Sequence, residues 1–274
     1  MAALALTGCA AEADKSETAG SELADKTDVV RIDAISPASG SLLGGETVTL
    51  SGQGLSDVSS VLVGGVATTP VVAATDHTVQ IVMPPALDYQ AGTVSVSAST
   101  DDEVITGEPG YDYRVVTPVD AQMQYAFAHW QDYNDEVWGV FPDNDCGNFV
   151  NQTLIARGWQ QTDEWYSEWN TTGDFSDSWA RGPAMDEWFA SQTDRATRLS
   201  LEQRDKVKVG DVVMFDWDPQ NENGVDHTML VSKVDPATGA ISMAGHTIDA
   251  QYRDLDQAIT IENPGATAWF YSIA

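Results

Sequence analysis

The pattern of the chain changes at Thr117-Pro118, and the change limits the fold more than any other feature, because the hydrophobic period differs on its two sides. Upstream, β-branched runs alternate with turn residues: Glu46-Thr47-Val48-Thr49-Leu50-Ser51, Ser60-Val61-Leu62-Val63, Thr78-Val79-Gln80-Ile81-Val82 and Gly92-Thr93-Val94-Ser95-Val96-Ser97. Such runs predict the strands of a small all-β sandwich. Downstream, Met123, Tyr125, Ala126, Phe127 and Trp130 recur at helical spacings and predict an amphipathic helix over 119–133, in a segment that turns rich in tryptophan. The expectation is a multidomain chain, with a polar tether over 1–29, the sandwich over 30–116 and an α+β domain over 118–274. At 274 residues it can bury this much core without disulfide staples.

Charge narrows the partners. The chain holds 42 acidic and 13 basic residues, a net charge of −29, which repels phosphate backbones and anionic headgroups. Nucleic acid is excluded as an expected partner, and a monomer is expected. No apolar run after Cys9 is long enough to span a membrane, so membrane contact is expected only through lipid.

The two cysteines, Cys9 and Cys146, lie in unlike contexts and do not read as a disulfide. Cys9 closes Leu6-Thr7-Gly8-Cys9, which resembles the lipobox of bacterial lipoprotein signals and implies acylation of Cys9. An extracytoplasmic protein, lipid-anchored or secreted, is the corresponding expectation. Cys146 stands at the start of an apolar-periodic stretch. Asp145 is read as the cap of a helix whose buried face includes Phe149, Val150, Leu154 and Ile155, with Gly158 as its stop. In the first turn, free backbone N–H groups favour a thiolate and an oxyanion, while the adjacent Asp145 opposes the thiolate. A partner imidazole is therefore needed. Asp226-His227-Thr228 introduces a strand over 229–234, Asp235-Pro236-Ala237-Thr238-Gly239 is a turn, and 240–244 returns. That hairpin is expected to bring His246 beside His227, giving a thiol, a base and an orienting group, with Asp249 as the rival orienter. His77 reads as a loop residue and His129 as a surface or capping one. Trp159, Trp165, Trp169, Trp179 and Trp188 read as core, with a subset able to stack on sugar rings.

Two resemblances sharpen this. Ile35-Ser36-Pro37-Ala38-Ser39-Gly40, the Gly44-Gly45 and Gly52-Gln53-Gly54-Leu55 elements, Gly64-Gly65 and Pro84-Pro85 resemble an IPT/TIG domain, which implies an immunoglobulin-like spacer or interaction module. Asp145-Cys146-Gly147-Asn148-Phe149-Val150-Asn151-Gln152, Val209-Gly210-Asp211-Val212-Val213-Met214-Phe215-Asp216-Trp217, Asp226-His227-Thr228 and Gly245-His246-Thr247-Ile248-Asp249 resemble the putative amidase domain family, related to NlpC/P60 and papain-like cysteine peptidases. The resemblance implies a papain-like α+β fold with Cys146 as nucleophile, His227 as general base and His246 as orienting residue. It also implies hydrolysis of amide bonds, with cell-wall peptidoglycan as the expected substrate. Gly147 and Asn151 depart from the Thr or Ser usual in the family. The 216–226 loop resembles a calcium-like segment but is longer and lacks its central Asp, so calcium at Asp216, Asp218 and Asp226 is a minor expectation and no other cofactor is implied. A catalytically silent wall- or carbohydrate-binding lipoprotein and a cysteine acyltransferase are the alternatives.

Overall fold

The computed structural model describes residues 30–274 apart from Val66 and Glu103. Cys9 and the 1–29 tether lie outside the described residues.

Alternation of inward and outward side chains builds the N-terminal half. Its strands are β1 (Arg31–Ser36), β2 (Ser39–Ser41), β3 (Thr47–Gln53), β4 (Ser60–Val63), β5 (Ala67–Thr69), β6 (Val71–Ala74), β7 (Thr78–Val82), β8 (Gly92–Ser99) and β9 (Gly110–Arg114). They form two sheets, ordered β1-β3-β7-β6 and β2-β9-β8-β4-β5. Val48 and Leu50 of β3, Val79 and Ile81 of β7, Val61 and Val63 of β4, and Tyr111 and Tyr113 of β9 all point into the shared core.

The C-terminal half starts on a strong helix signal. Thr117 caps α1 (Pro118–His129) in a capping box with Asp120, and Pro118 occupies the first turn. The helix stops four residues short of the expected 133, where His129 Nδ1 donates to the Asp132 carbonyl at 2.8 Å and the chain turns away. Then come α2 (Asp135–Trp138), α3 (Cys146–Ala156), a small hairpin of β10 (Ser167–Glu168) and β11 (Asp174–Phe175) flanking α4 (Trp169–Thr172), α5 (Asp177–Ala180) and α6 (Gly182–Ser191). The main sheet follows: β12 (Ala196–Ser200), β13 (Val212–Asp216), β14 (His227–Val234), β15 (Ile241–Gly245), β16 (Ala250–Asp254) and β17 (Thr267–Ile273). It is antiparallel throughout, in the order β12-β17-β13-β14-β15-β16.

The pleat sorts this sheet into two cores. Val212, Met214, Leu230 and Tyr271 pack with the helices that include α3, whereas Val213, Phe215, Met229, Val231 and Phe270 pack on the opposite face under Leu255, Ala258 and Ile259. Position along a strand therefore decides which chemistry a side chain can join.

The sandwich is clasped to the second half through Asp120. Its Oδ1 accepts from Ser41 Oγ at 2.6 Å and Leu43 N at 3.2 Å, and its Oδ2 from Val116 N at 3.0 Å and Thr117 N at 2.8 Å. Burial works to raise the proton affinity of Asp120, but these hydrogen bonds outweigh it and hold the carboxyl below its ordinary range. Nearby, Tyr89 donates to the Ser232 carbonyl at 2.7 Å and meets Phe127 edge-on at 4.9 Å. Asp120→Ala is expected to lower unfolding free energy by about 2–3 kcal/mol, because four part-buried donors lose their acceptor together. Urea unfolding of the two proteins measures it. A depressed carboxylate stabilises the fold above its unfolded pKa, so the difference should shrink as pH falls through and below the ordinary carboxylate range. Equal midpoints at neutral pH would mean the clasp contributes nothing.

Candidate active site

Cys146 is the first residue of α3 and only 6% exposed. Backbone N–H groups of Thr228, Gly147 and Cys146 itself are directed at Sγ, and the S–H lies 3.9 Å from Asn144 Oδ1. Burial is the largest influence and pushes the thiol above its ordinary pKa; the N–H groups act against it, and Asp145 adds to it. At rest the group is a thiol, whereas the helix N-terminus alone would favour a thiolate. Gly147 is required here, since a Cβ would stand 2.9 Å from the Trp179 carbonyl oxygen.

Asp145 does not cap α3, contrary to the sequence expectation. It has helical backbone angles and makes no side-chain cap bond. Its Oδ1 accepts from Phe141 N at 2.8 Å and Asn148 Nδ2 at 3.0 Å, and its Oδ2 faces His246 Nδ1 at 2.5 Å. Asp145 N in turn donates to Thr247 Oγ1 at 3.0 Å. The carboxylate thus ties the loop before Cys146 to the residues after β15.

His227 opens β14 and is paired in register with Phe215. Its ring lies 6.1 Å from Phe215 and 5.9 Å from Trp217, on the sheet face away from α3. Burial, with a smaller push from the Arg253 guanidinium, drives its pKa down to about 4, so the imidazole is neutral. Nε2 is buried and has no hydrogen-bond partner among the described residues. The next residue, Thr228, points its N–H at Cys146 Sγ, so the backbone carrying His227 borders the thiol although the ring's Nε2 makes no hydrogen bond to it.

The β14–β15 hairpin forms, but it does not make His246 the orienter of His227. Leu230 pairs with Ala244, a register that continues to set His246 opposite Thr228 and so one step out of phase with His227. His246 accordingly faces α3: its ring lies 4.2 Å from Phe149, stacks on Tyr133 at 3.6 Å and 3°, and places Nε2 2.7 Å from the His129 carbonyl oxygen. Both nitrogens are taken. Asp249 is exposed and accepts from Tyr133 Oη at 2.6 Å, which leaves it outside the His227 pocket as well.

Sequence reasoning missed the polar lattice under Cys146. Asn148 Oδ1 accepts from Trp179 Nε1 at 2.9 Å, Asn151 Oδ1 accepts from Trp165 Nε1 at 2.9 Å, and Asn151 Nδ2 donates to the Trp179 carbonyl at 2.8 Å. The departure at Asn151 is thereby explained: an Asn there joins both tryptophans to α3. The available signal was two amides at buried helical spacing beside a tryptophan-rich segment.

Asp216, Asp218 and Asp226 gather their carboxylates within 4.8 Å. Burial, opposed by a bond from Asp218 N, raises the proton affinity of Asp216, with the other two carboxylates adding to it. Asp226 already spends Oδ2 on Trp217 N at 2.8 Å and Oδ1 on Asn223 Nδ2 at 3.0 Å. The donors are hard oxygens of the type calcium takes, but as arranged they fall short of the roughly six to eight oxygens it requires. No helix among the described residues is long and apolar enough to cross a membrane.

Residues 118–271 match the putative amidase domain family, and residues 31–115 match the IPT/TIG domain. No curated protein matches the chain. Among solved structures, the plexin A4 full extracellular region is 18% identical over 31% of this chain and 8% of its own length, with a TM-score of 0.28. An auxiliary nutrient binding protein from Bacteroides ovatus is 24% identical over 32% of this chain and 21% of its own, with a TM-score of 0.25. The mixed-linkage glucan SGBP-B of Bacteroides ovatus, in complex with a heptasaccharide, is 10% identical over 90% of this chain and 52% of its own, with a TM-score of 0.27. The chain spans less than two thirds of each of these, and likenesses at such scores carry no argument about its function.

Proposed function

Because the chain belongs to the putative amidase domain family, we propose that it is a cysteine-dependent hydrolase of amide bonds, with cell-wall peptidoglycan as its substrate class. The observation that carries the reading is Cys146 in the first turn of α3, with the N–H groups of Thr228, Gly147 and Cys146 gathered round its sulfur. They are donors suited to an oxyanion formed at the same place. His227 is the base, through a turn of its side chain from the Trp217 side toward Sγ; its partnerless Nε2 loses no hydrogen bond by moving. As Sγ attacks the amide carbon, Nε2 takes the thiol proton, and then delivers it to the departing amine. A water then attacks the thioester and gives its proton to Nε2, and that proton returns to Sγ as the acid leaves. The same reading takes the fold around Cys146 as papain-like and NlpC/P60-related, Cys9 as an acylation site, and the protein as extracytoplasmic.

A second reading draws on the lack of a hydrogen bond between His227 Nε2 and Cys146: a wall-binding protein in which the thiol does no chemistry. Mass spectrometry of soluble products released from purified peptidoglycan by the full chain, run beside Cys146→Ala, separates the two. New amine-terminated fragments from the unmutated chain alone support the hydrolase and identify the bond. Release by neither, with both proteins sedimenting with the wall, overturns it in favour of binding, and products joined to an added amine indicate acyl transfer.

A further inference from the structure

We infer that His246 is a positioning residue locked as an imidazolium, which clamps the Cys146 loop through Asp145 and offsets the charge of that carboxylate beside the sulfur. The argument is one of hydrogen-bond valence. Nδ1 faces Asp145 Oδ2 at 2.5 Å and Nε2 faces the His129 carbonyl oxygen at 2.7 Å. Both partners accept. A neutral imidazole donates from one nitrogen only, so beside an ionised Asp145 it would leave one of these contacts as two acceptors face to face. Asp145 already receives two donors at Oδ1, from Phe141 N and Asn148 Nδ2, as an ionised carboxylate does. The ring is 1% exposed and stacked flat on Tyr133, an arrangement that suits a cation over an aromatic face. A buried cation without its own counterion would be very costly, and here Asp145 is that counterion.

Titratable and charged groups meet His246 from every side. The loop before α3 contributes Asp145, and the segment after α1 contributes Tyr133, whose hydroxyl donates to Asp249. From α1 comes the His129 carbonyl, while the His129 ring turns toward Tyr125; α3 adds the Phe149 ring. Asp145 raises the proton affinity of Cys146. Its pairing with His246 limits that effect, so the clamp sets both where the sulfur sits and how readily it ionises. The catalytic consequence rests on the amidase reading, but the charge state and the effect on the thiol do not.

Two measurements on the full chain test this without turnover. The first is nitrogen NMR of the protein with labelled histidine at neutral pH. With four histidines in the sequence, His246 is assigned by replacing the other three in turn. Two protonated ring nitrogens on His246 are expected, and a single protonated nitrogen overturns the inference. The second is alkylation of Cys146 by iodoacetamide in a Cys9→Ser background at a fixed pH below the thiol midpoint. His246→Gln should slow it about tenfold, as the unpaired carboxylate holds the proton on sulfur. Adding Asp145→Asn should restore most of the rate. A merely structural clamp predicts the double variant no nearer the starting rate than the single, and that result also overturns the inference. If His246→Gln does not fold, the NMR measurement on unmutated His246 still decides.

Discussion

His227→Ala is expected to lower kcat/KM on an amide substrate by roughly 10²- to 10⁴-fold while leaving the fold in place, the range for loss of a general base. The reason lies in the resting protonation states. Burial and Arg253 keep His227 neutral down to about pH 4, and burial keeps Cys146 a thiol, so the two do not start as an ion pair. The proton must move during the attack itself, which makes the acceptor indispensable. A protonated His227 cannot accept it, so kcat/KM should rise with pH through about 4 and then stay level until the raised thiol ionises. Added imidazole should partly rescue His227→Ala and do nothing for Cys146→Ala. A variant that keeps more than about a tenth of the activity would remove His227 from the mechanism. His246→Ala provides a contrast, because its effect should pass through the loop that holds Cys146 and imidazole should not rescue it.

Much of the frame was legible from local pattern. The runs at Ser60–Val63 and Thr78–Val82 became β4 and β7 with those bounds, because alternating β-branched residues between turn formers leave a half-buried strand few alternatives. The helical spacing of Met123, Ala126 and Phe127 announced α1, although its Thr117–Asp120 capping box, which fixes where it starts, was not read from the sequence. The hairpin of β14 and β15 was also visible, from the Asp235–Gly239 turn. What the hairpin does to His227 and His246 was not visible, because proximity in a sheet depends on register and a shift of one residue sends a side chain to the other face. Leu230 pairs with Ala244, and no local signal in either strand specifies that pairing rather than its neighbour. Asp145 was misread for a related reason. An Asp before a helix is usually a cap, and only the arrival of His246 from the far end of the sheet gives its carboxylate a stronger partner.

The segment between α3 and β12 was opaque because its order comes from tertiary bonds to α3 and not from periodicity, and Trp179 is where that order is concentrated. Its side chain is fully buried, its ring packs against Trp138 at 5.2 Å and Trp165 at 5.0 Å, and its Nε1 donates to Asn148 Oδ1 at 2.9 Å. Trp179→Ala should cost about 3–5 kcal/mol from the lost burial and the cavity, with about 1–3 kcal/mol more from the orphaned amide oxygen of Asn148. That is a large fraction of the roughly 5–15 kcal/mol by which a folded domain is stable. The loss should also be specific in place: Asn148 bonds to Asp145 as well, so the disturbance reaches the loop that carries Cys146. Trp179→Phe keeps most of the burial and removes the N–H, and should fall well between the two. Trp138→Ala, at a half-buried position with no such bond to α3, should cost less than Trp179→Ala. Urea unfolding ranks the three. If Trp179→Ala proves no worse than Trp138→Ala, the lattice under α3 does not hold the site together, and the loop before Cys146 must be fixed by the His246 clamp alone.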